Sequence, residues 1–477
     1  MLKTQAVCGA VIVICCSYWA GNASAQVPNP AAKPSPAAAV LGSMSDPEND
    51  AVDSAITDTR NSWQPDTTPL TGLETPTIGN PAMRHSYWVP GLQYGGTVQS
   101  GPLGASNSSD WFATHYVAGT LSLLKSSTRS TLGLNYSGGG LTTTQSGRDG
   151  GWYQQLAAAQ TFQFKRWQWQ WADQFAYLPE TQFGFGAGTG LAIPGIAGAL
   201  GPTLPGTPQP NQGIFSVTGP RYSNVAVIQG TYQLSARQSI TVGGLDGILH
   251  FTDAQNVDSS NYIGNFGYDY ALTNADSVGL MYRFGAYHFQ GQPQAYGDSS
   301  ISLAYGRKIT RRLALQAYLG PDFIDYRVPI GGTSSRLAVI GAVNLTYGHE
   351  RGGVSIGYNH GLSAGSGVLV GAETDQVTFT GRRQLNRLWS ASANVGYAAN
   401  RALANSNSAG YGSYDNYFAG GGLSRPIGRN LDFGMSYTSY IQQGHPQGCA
   451  LTNCHTDSLQ HAITVFLQWH LRPLVLE

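Results

Sequence analysis

The chain is poor in charge. Asp, Glu, Lys and Arg are 11% of its 477 residues, against roughly 25% in an ordinary soluble domain. Its 26 basic and 26 acidic residues cancel. That removes the electrostatic reason to seek nucleic acid, and no such partner is expected. Beyond residue 25 no run of 18 or more apolar residues occurs, so no helix is expected to cross a bilayer.

Cysteine is scarce as well. Of five cysteines, Cys8, Cys15 and Cys16 fall in the first 25 residues. The other two, Cys449 and Cys454, sit in Cys-Ala-Leu-Thr-Asn-Cys. In an oxidising compartment such a pair reads as a local disulfide. Two thiols fall short of a metal site, and only His445 and His455 keep that alternative open. No metal and no cofactor are expected.

The first 25 residues read as a signal peptide. Lys3 gives a basic start, Ala6 to Trp19 an apolar stretch, and Ala23-Ser24-Ala25 a cleavage site. Residues 26–82 are rich in Pro and Ala, with Asp and Thr, and show no sustained apolar period. They read as a disordered linker on the periplasmic side. Asp46 and Pro47 could open one short helix within it, through Ala55.

Glycine and aromatics are what the chain has in excess: 62 Gly, 26 Tyr, 16 Phe and 10 Trp. From residue 83 to 477 the sequence alternates in polarity with period two. In Trp167-Gln168-Trp169-Gln170-Trp171 three indoles share one face and two amides the other. Ile463, Val465, Leu467, Trp469 and Leu471 oppose Thr464, Gln468 and His470. The polar faces carry Ser, Thr, Asn, Gln and Gly, with few of the Lys and Glu that coat soluble surfaces. Such strands suit a ring with lipid outside and water within.

Eighteen strands are predicted, from 85–98 to 460–471, with sixteen as the alternative count. Their links alternate. Short ones such as 125–127, 165–166 and 425–430 follow long ones such as 99–110, 179–222 and 326–335. This is the pattern of an antiparallel up-and-down β-barrel with short periplasmic turns and long extracellular loops. Aromatics at strand ends suggest two girdles: Phe164, Trp167, Tyr305, Tyr347, Trp389 and Trp469 by the short turns, Tyr222, Phe251, Tyr262, Tyr326, Tyr397, Tyr414 and Tyr440 by the long loops. Asp298, Asp322 and Glu373 are read with the long-loop rim. Lumen-facing candidates are Gln168, Gln170, Arg283, Gln316, Tyr318, Asn344, Asn359 and Asn394. All but Arg283 are neutral groups that exchange hydrogen bonds with uncharged polar solutes.

With its signal peptide, dyad strands, turn–loop parity and amphipathic last strand, the chain resembles the porin-like outer-membrane barrels of Gram-negative bacteria. The resemblance spans about 85–471 and is one of class. It implies an outer-membrane location, contact with outer-membrane lipid, use of the barrel-assembly machinery and room for a homo-oligomer. One departure is that the chain runs past Trp469 to Glu477 instead of ending on an aromatic. In such porins the third outer loop narrows the pore. Here that ordinal position falls on 179–222, whose Phe183, Phe185, Leu191, Ile193, Ile196 and Leu200 are the candidate constriction. The expected function is a channel for small, uncharged polar solutes. The alternative is a structural or surface-interaction barrel without transport.

No enzyme is expected. His360, in Tyr-Asn-His-Gly, is the one residue considered as a base. No His-Glu-x-x-His pair occurs. Asp253 and Asp258 are read as solvated loop carboxylates rather than Ca²⁺ ligands.

Overall fold

The computed structural model describes residue 70 and residues 86–100, 111–144, 150–178, 220–252, 257–290, 295–328, 332–349, 351–363, 371–403, 411–446 and 458–476. The described residues hold no helix. The strands are β1 (Ser86–Ser100), β2 (Trp111–Ser126), β3 (Ser130–Thr143), β4 (Gly151–Gln163), β5 (Trp167–Leu178), β6 (Arg221–Ser235), β7 (Gln238–Phe251), β8 (Ser259–Ala271) and β9 (Asp276–Phe289). They continue with β10 (Ala295–Lys308), β11 (Leu313–Val328), β12 (Gly332–His349), β13 (Gly352–Ser363), β14 (Ala372–Gln384), β15 (Ser390–Ala402), β16 (Tyr411–Pro426), β17 (Leu431–Pro446), β18 (Ser458–His470) and the short β19 (Leu474–Leu476).

Each strand from β2 to β17 pairs antiparallel with its two sequence neighbours, and β1 closes the ring by pairing with both β2 and β18. The eighteen long strands form the expected up-and-down barrel. Closure pairs the two edges that an open sheet of this size would leave free; within the ring, β12 has no β13 partner beyond Gly341, towards its long-link end. At the seam Thr97 meets Thr464 in register, their hydroxyls 2.9 Å apart. Beyond Pro473, β19 pairs with Ser86, Tyr87 and Trp88. The seam therefore runs on past Trp469, beyond the last strand predicted from the sequence.

Period two sorts the wall into two faces. On β9, Leu280, Tyr282 and Phe284 are exposed, while Met281, Arg283 and Tyr287 between and after them are buried. The exposed rows of all strands are dominated by Leu, Ile, Val, Phe, Tyr and Trp. The inner rows are where most buried Gln, Asn, Ser and Thr lie. Outward aromatics bound the apolar zone on β5–β7. Trp167 packs on Tyr232 near the short turns, and Tyr177 on Tyr222 near the long links, both at 4.6 Å between ring centroids.

Glycine lets large inner rings lie flat against the wall. Tyr116 crosses Gly95, and Phe466 crosses Gly434; a Cβ on either glycine would stand within 2.5 Å of the ring. Only a residue without a side chain permits that approach. In the short link after β16, Gly428 has φ +81, a left-handed turn conformation.

Two expectations need correction. Phe251, Tyr326, Tyr414 and Tyr440 are not part of an outer girdle. Their register puts them on the inner face, and three of them are almost wholly buried. Nearness to a strand end was read as girdle membership, but parity decides the face. The segment 326–335 is also not a long loop. The β11–β12 ladder continues to Val328↔Gly332 and leaves only 329–331 between the strands. Thr333, Ser334 and Ser335 look loop-like because a strand outside an apolar zone needs no apolar face.

Candidate functional site

The inner wall is the surface on which a channel would act. By register, Gln168, Gln170, Arg283, Gln316, Tyr318, Asn344, Asn359 and Asn394 all stand on the inward rows. Gln316 faces Asn344 across the β11–β12 pair. The Tyr318 hydroxyl donates to Asn359 Oδ1 at 3.3 Å. Arg283 and Asn394 are buried, and the others are part-exposed or exposed. The constriction candidates Phe183, Phe185, Leu191, Ile193, Ile196 and Leu200 lie outside the described residues, as do Cys449 and Cys454, the signal segment, the Asp46 helix and Asp253.

Arg283 is not an isolated cation. Its guanidinium makes an ion pair with Asp298 and donates to the Tyr287 hydroxyl at 2.8 Å, with both charged side chains fully buried. Asp322, also inward and 1% exposed, adds a second acid to this cluster. Asp298 and Asp322 were read from the sequence as rim residues. They belong to strands β10 and β11, where Asp298 shares its row with Ser300 and Ser302, and Asp322 with Tyr318 and Ile324. That spacing of two was the available signal. Asp298 falls in the predicted link 290–298, which hides its row, whereas Asp322 lies inside the predicted strand 313–325, where its parity with Gln316 and Tyr318 already marks it as inward.

Beside this polar cluster lies an inner apolar one. Val227, Leu245, Ile263, Tyr287, Phe289, Tyr296 and Ile324 pack together, joined by Leu362 from β13. Tyr296 donates its hydroxyl to the Ser363 carbonyl at 2.5 Å. The β12–β13 pairing ends at Gly341↔His360. Above that point β13 is free of β12, which lets Leu362 join the interior.

His360 sits between two carboxylates. Its Nδ1 lies 2.7 Å from Asp375 and its Nε2 3.4 Å from Glu373, so both ring nitrogens are held by carboxylates. Gly353-Val354-Ser355-Ile356-Gly357, within β13, and Gly361-Leu362-Ser363-Ala364-Gly365 both spell Gly-x-Ser-x-Gly. The motif needs a strand-to-helix elbow with an exposed serine. Here Ser363 ends β13, with its hydroxyl 3.0 Å from that of Thr374. Glu373 also takes Arg336 at 2.9 Å, and Tyr358 donates to Asp375 at 2.8 Å. This network ties β12, β13 and β14 together at the long-link end. His250 and Asp258 pair at 2.5 Å across the link between β7 and β8. No group of three or more potential metal ligands occurs among the described residues.

No protein-family model matches the chain, and no curated protein matches it in sequence. Solved structures similar to it include OccK2 (OpdF) of Pseudomonas aeruginosa, with 9% identity and a TM-score of 0.41, over 82% of this chain and 98% of that one. OpdK of the same organism, solved with vanillate, has 10% identity and a TM-score of 0.39, over 80% and 99%. A BenF-like porin of Pseudomonas fluorescens Pf-5 has 8% identity and a TM-score of 0.39, over 82% and 99%. The closed ring stands on the pairing of the chain's own strands, independent of these likenesses.

Proposed function

We propose that the protein is an outer-membrane channel for small polar solutes. The observation that carries this reading is the sorting of the closed wall, with large apolar side chains exposed outside and amides and hydroxyls inside. A closed barrel satisfies its backbone internally, so such an outer face suits lipid. The part-exposed inner positions Gln168, Gln170, Gln316 and Asn344 are neutral. The one inner arginine among the candidates is matched by Asp298. A wall of this kind favours uncharged solutes over ions of one sign.

Liposomes carrying the purified chain should swell in sugars of graded size up to a cut-off. Absence of swelling, with the barrel correctly inserted, would replace the channel with a structural barrel. The reading extends to 179–222 as the narrow point. Deleting Leu191–Leu200 should raise single-channel conductance in planar bilayers, and unchanged conductance removes that assignment.

A further inference from the structure

The two ends of the wall treat arginine differently. At the long-link end Arg336 and Arg401 have Glu373 and Asp375 beside them. At the short-turn end of β12–β17, Arg351, Arg383, Arg387, Arg425 and Arg429 are all exposed, and none pairs with a carboxylate among the described residues. Cations gathered without acids repel one another, so an anion brought among them is stabilised. Arginine in particular matches phosphate, because its planar fork donates two parallel hydrogen bonds.

Two of these arginines point outward. Arg383 shares its row on β14 with Gly381 and Phe379, and Arg425 shares its row on β16 with Leu423 and Gly421. Arg425 lies over the Trp389 ring, 5.5 Å from its centroid. An arginine on an indole at a strand end suits the headgroup level of a bilayer, where the ring meets the acyl boundary and the charge meets water.

Just inside this level the outer wall is shallow. One outward row runs Val354, Gly381, Ala393, Gly421, Tyr437 across β13 to β17. Gly381 stands two residues, or about 7 Å, from Arg383. A Cβ on Gly381 or Gly421 would meet nothing nearer than 3.6 Å. The wall's own packing therefore does not require glycine at either place, unlike Gly95 and Gly434. The three small residues leave a trough between Val354 and Tyr437. Three strands at about 4.8 Å each give it room for two acyl chains side by side.

We propose that the outer wall of β14–β16 binds a glycerophospholipid with an anionic headgroup. Arg383 and Arg425 hold its phosphate, with Arg387 and Arg429 in the turns just beyond, and its chains lie in the trough of Gly381, Ala393 and Gly421. Short turns belong on the periplasmic side of such barrels, where the leaflet is phospholipid. The proposal rests on the membrane reading above.

The test titrates the full chain, folded in neutral detergent, with phosphatidylglycerol or phosphatidylcholine, and reads bound lipid by native mass spectrometry. Phosphatidylglycerol should bind at the lower concentration. Replacing Arg383, Arg425 and Arg429 together by Gln should weaken it on the order of a hundredfold, since each basic residue near an anionic surface is worth roughly fivefold. Replacing Lys165, Arg166 and Arg237 by Gln removes as many charges from another part of the same rim and should leave binding as it was. Gly421→Leu fills the trough without changing charge and should also weaken binding. Heat-modifiable gel mobility shows that each variant is folded. Equal binding of the two lipids, equal loss in both triple variants, or full binding by Gly421→Leu overturns the proposal. So does displacement by inorganic phosphate at equal concentration, which would mark a site for the anion alone, or tighter binding of lipid A. A barrel soluble without detergent would instead overturn the membrane reading.

Discussion

The Arg283 guanidinium is paired with the Asp298 carboxylate across adjacent strands β9 and β10, and neither side chain reaches solvent. The cation is thereby matched locally by Asp298, with Asp322 as a second acid in the same cluster. Burial also makes each partner depend on the other. Removing one member of a buried pair leaves an uncompensated charge, at a cost of about 3–5 kcal/mol. Arg283→Met should therefore destabilise the folded barrel by that order in urea titrations in detergent. The double variant Arg283→Met with Asp298→Leu should recover most of the loss. Equal losses in single and double variants would show that the pair is not coupled.

The ring of Tyr116 lies on Gly95, held by the Gln93 amide donating to its hydroxyl at 3.1 Å. Gly95→Val needs space that the ring occupies. Overpacking of this kind costs about 1–3 kcal/mol. Gly95→Val should lower the urea midpoint, and adding Tyr116→Ala should restore part of it by clearing the ring.

Much of this was legible in the sequence, because period two is the one signal that a barrel wall must carry. Trp167 to Trp171 states both faces in five residues, and the rows of Gln168 and Gln170 follow directly. What was not legible is where one face breaks its own rule. Asp173 and Asp246 are single acids in long outward apolar rows, and nothing in a strand's own sequence says that they share a row across Ala226. Asp298 is hidden by a boundary error of a few residues, while Asp322 lies inside the predicted strand 313–325 and its inward parity is readable there. The inner tyrosines at 414 and 440 needed the register, since an aromatic near a strand end fits either face. The β19 pairing was hidden because Pro473 looks like a stop, although a proline at an interruption leaves the residues after it free to pair.

That pairing has a measurable consequence. A chain stopped after Pro473 loses the contacts of Leu474, Val475 and Leu476 with Trp88, Tyr87 and Ser86. With net backbone hydrogen bonds at about 1 kcal/mol each, a loss on the order of 1–3 kcal/mol is expected. It should appear at the seam, as faster hydrogen exchange in β1 than in β8. Uniform acceleration through all strands would mean that β19 supports the barrel as a whole rather than its closure.

The sharpest check on the two faces uses neighbouring residues of one strand. Gln316 stands on the inner row of β11 and Leu319 on the outer row, where Leu319 is 64% exposed. If lipid lies outside, Leu319→Arg puts a charge in hydrocarbon, at a cost of roughly 2–4 kcal/mol near the midplane. If water lies inside, Gln316→Arg has a hydrated surface to occupy and should fold with little loss. The two variants should also differ in current. Gln316→Arg adds a positive charge to the conducting path and should shift the reversal potential in a salt gradient toward anions. Leu319→Arg, on the lipid side, should fold less stably and leave the reversal potential of its surviving channels where the wild type has it. Swapped outcomes would invert the faces of the barrel, and the channel reading would go with them.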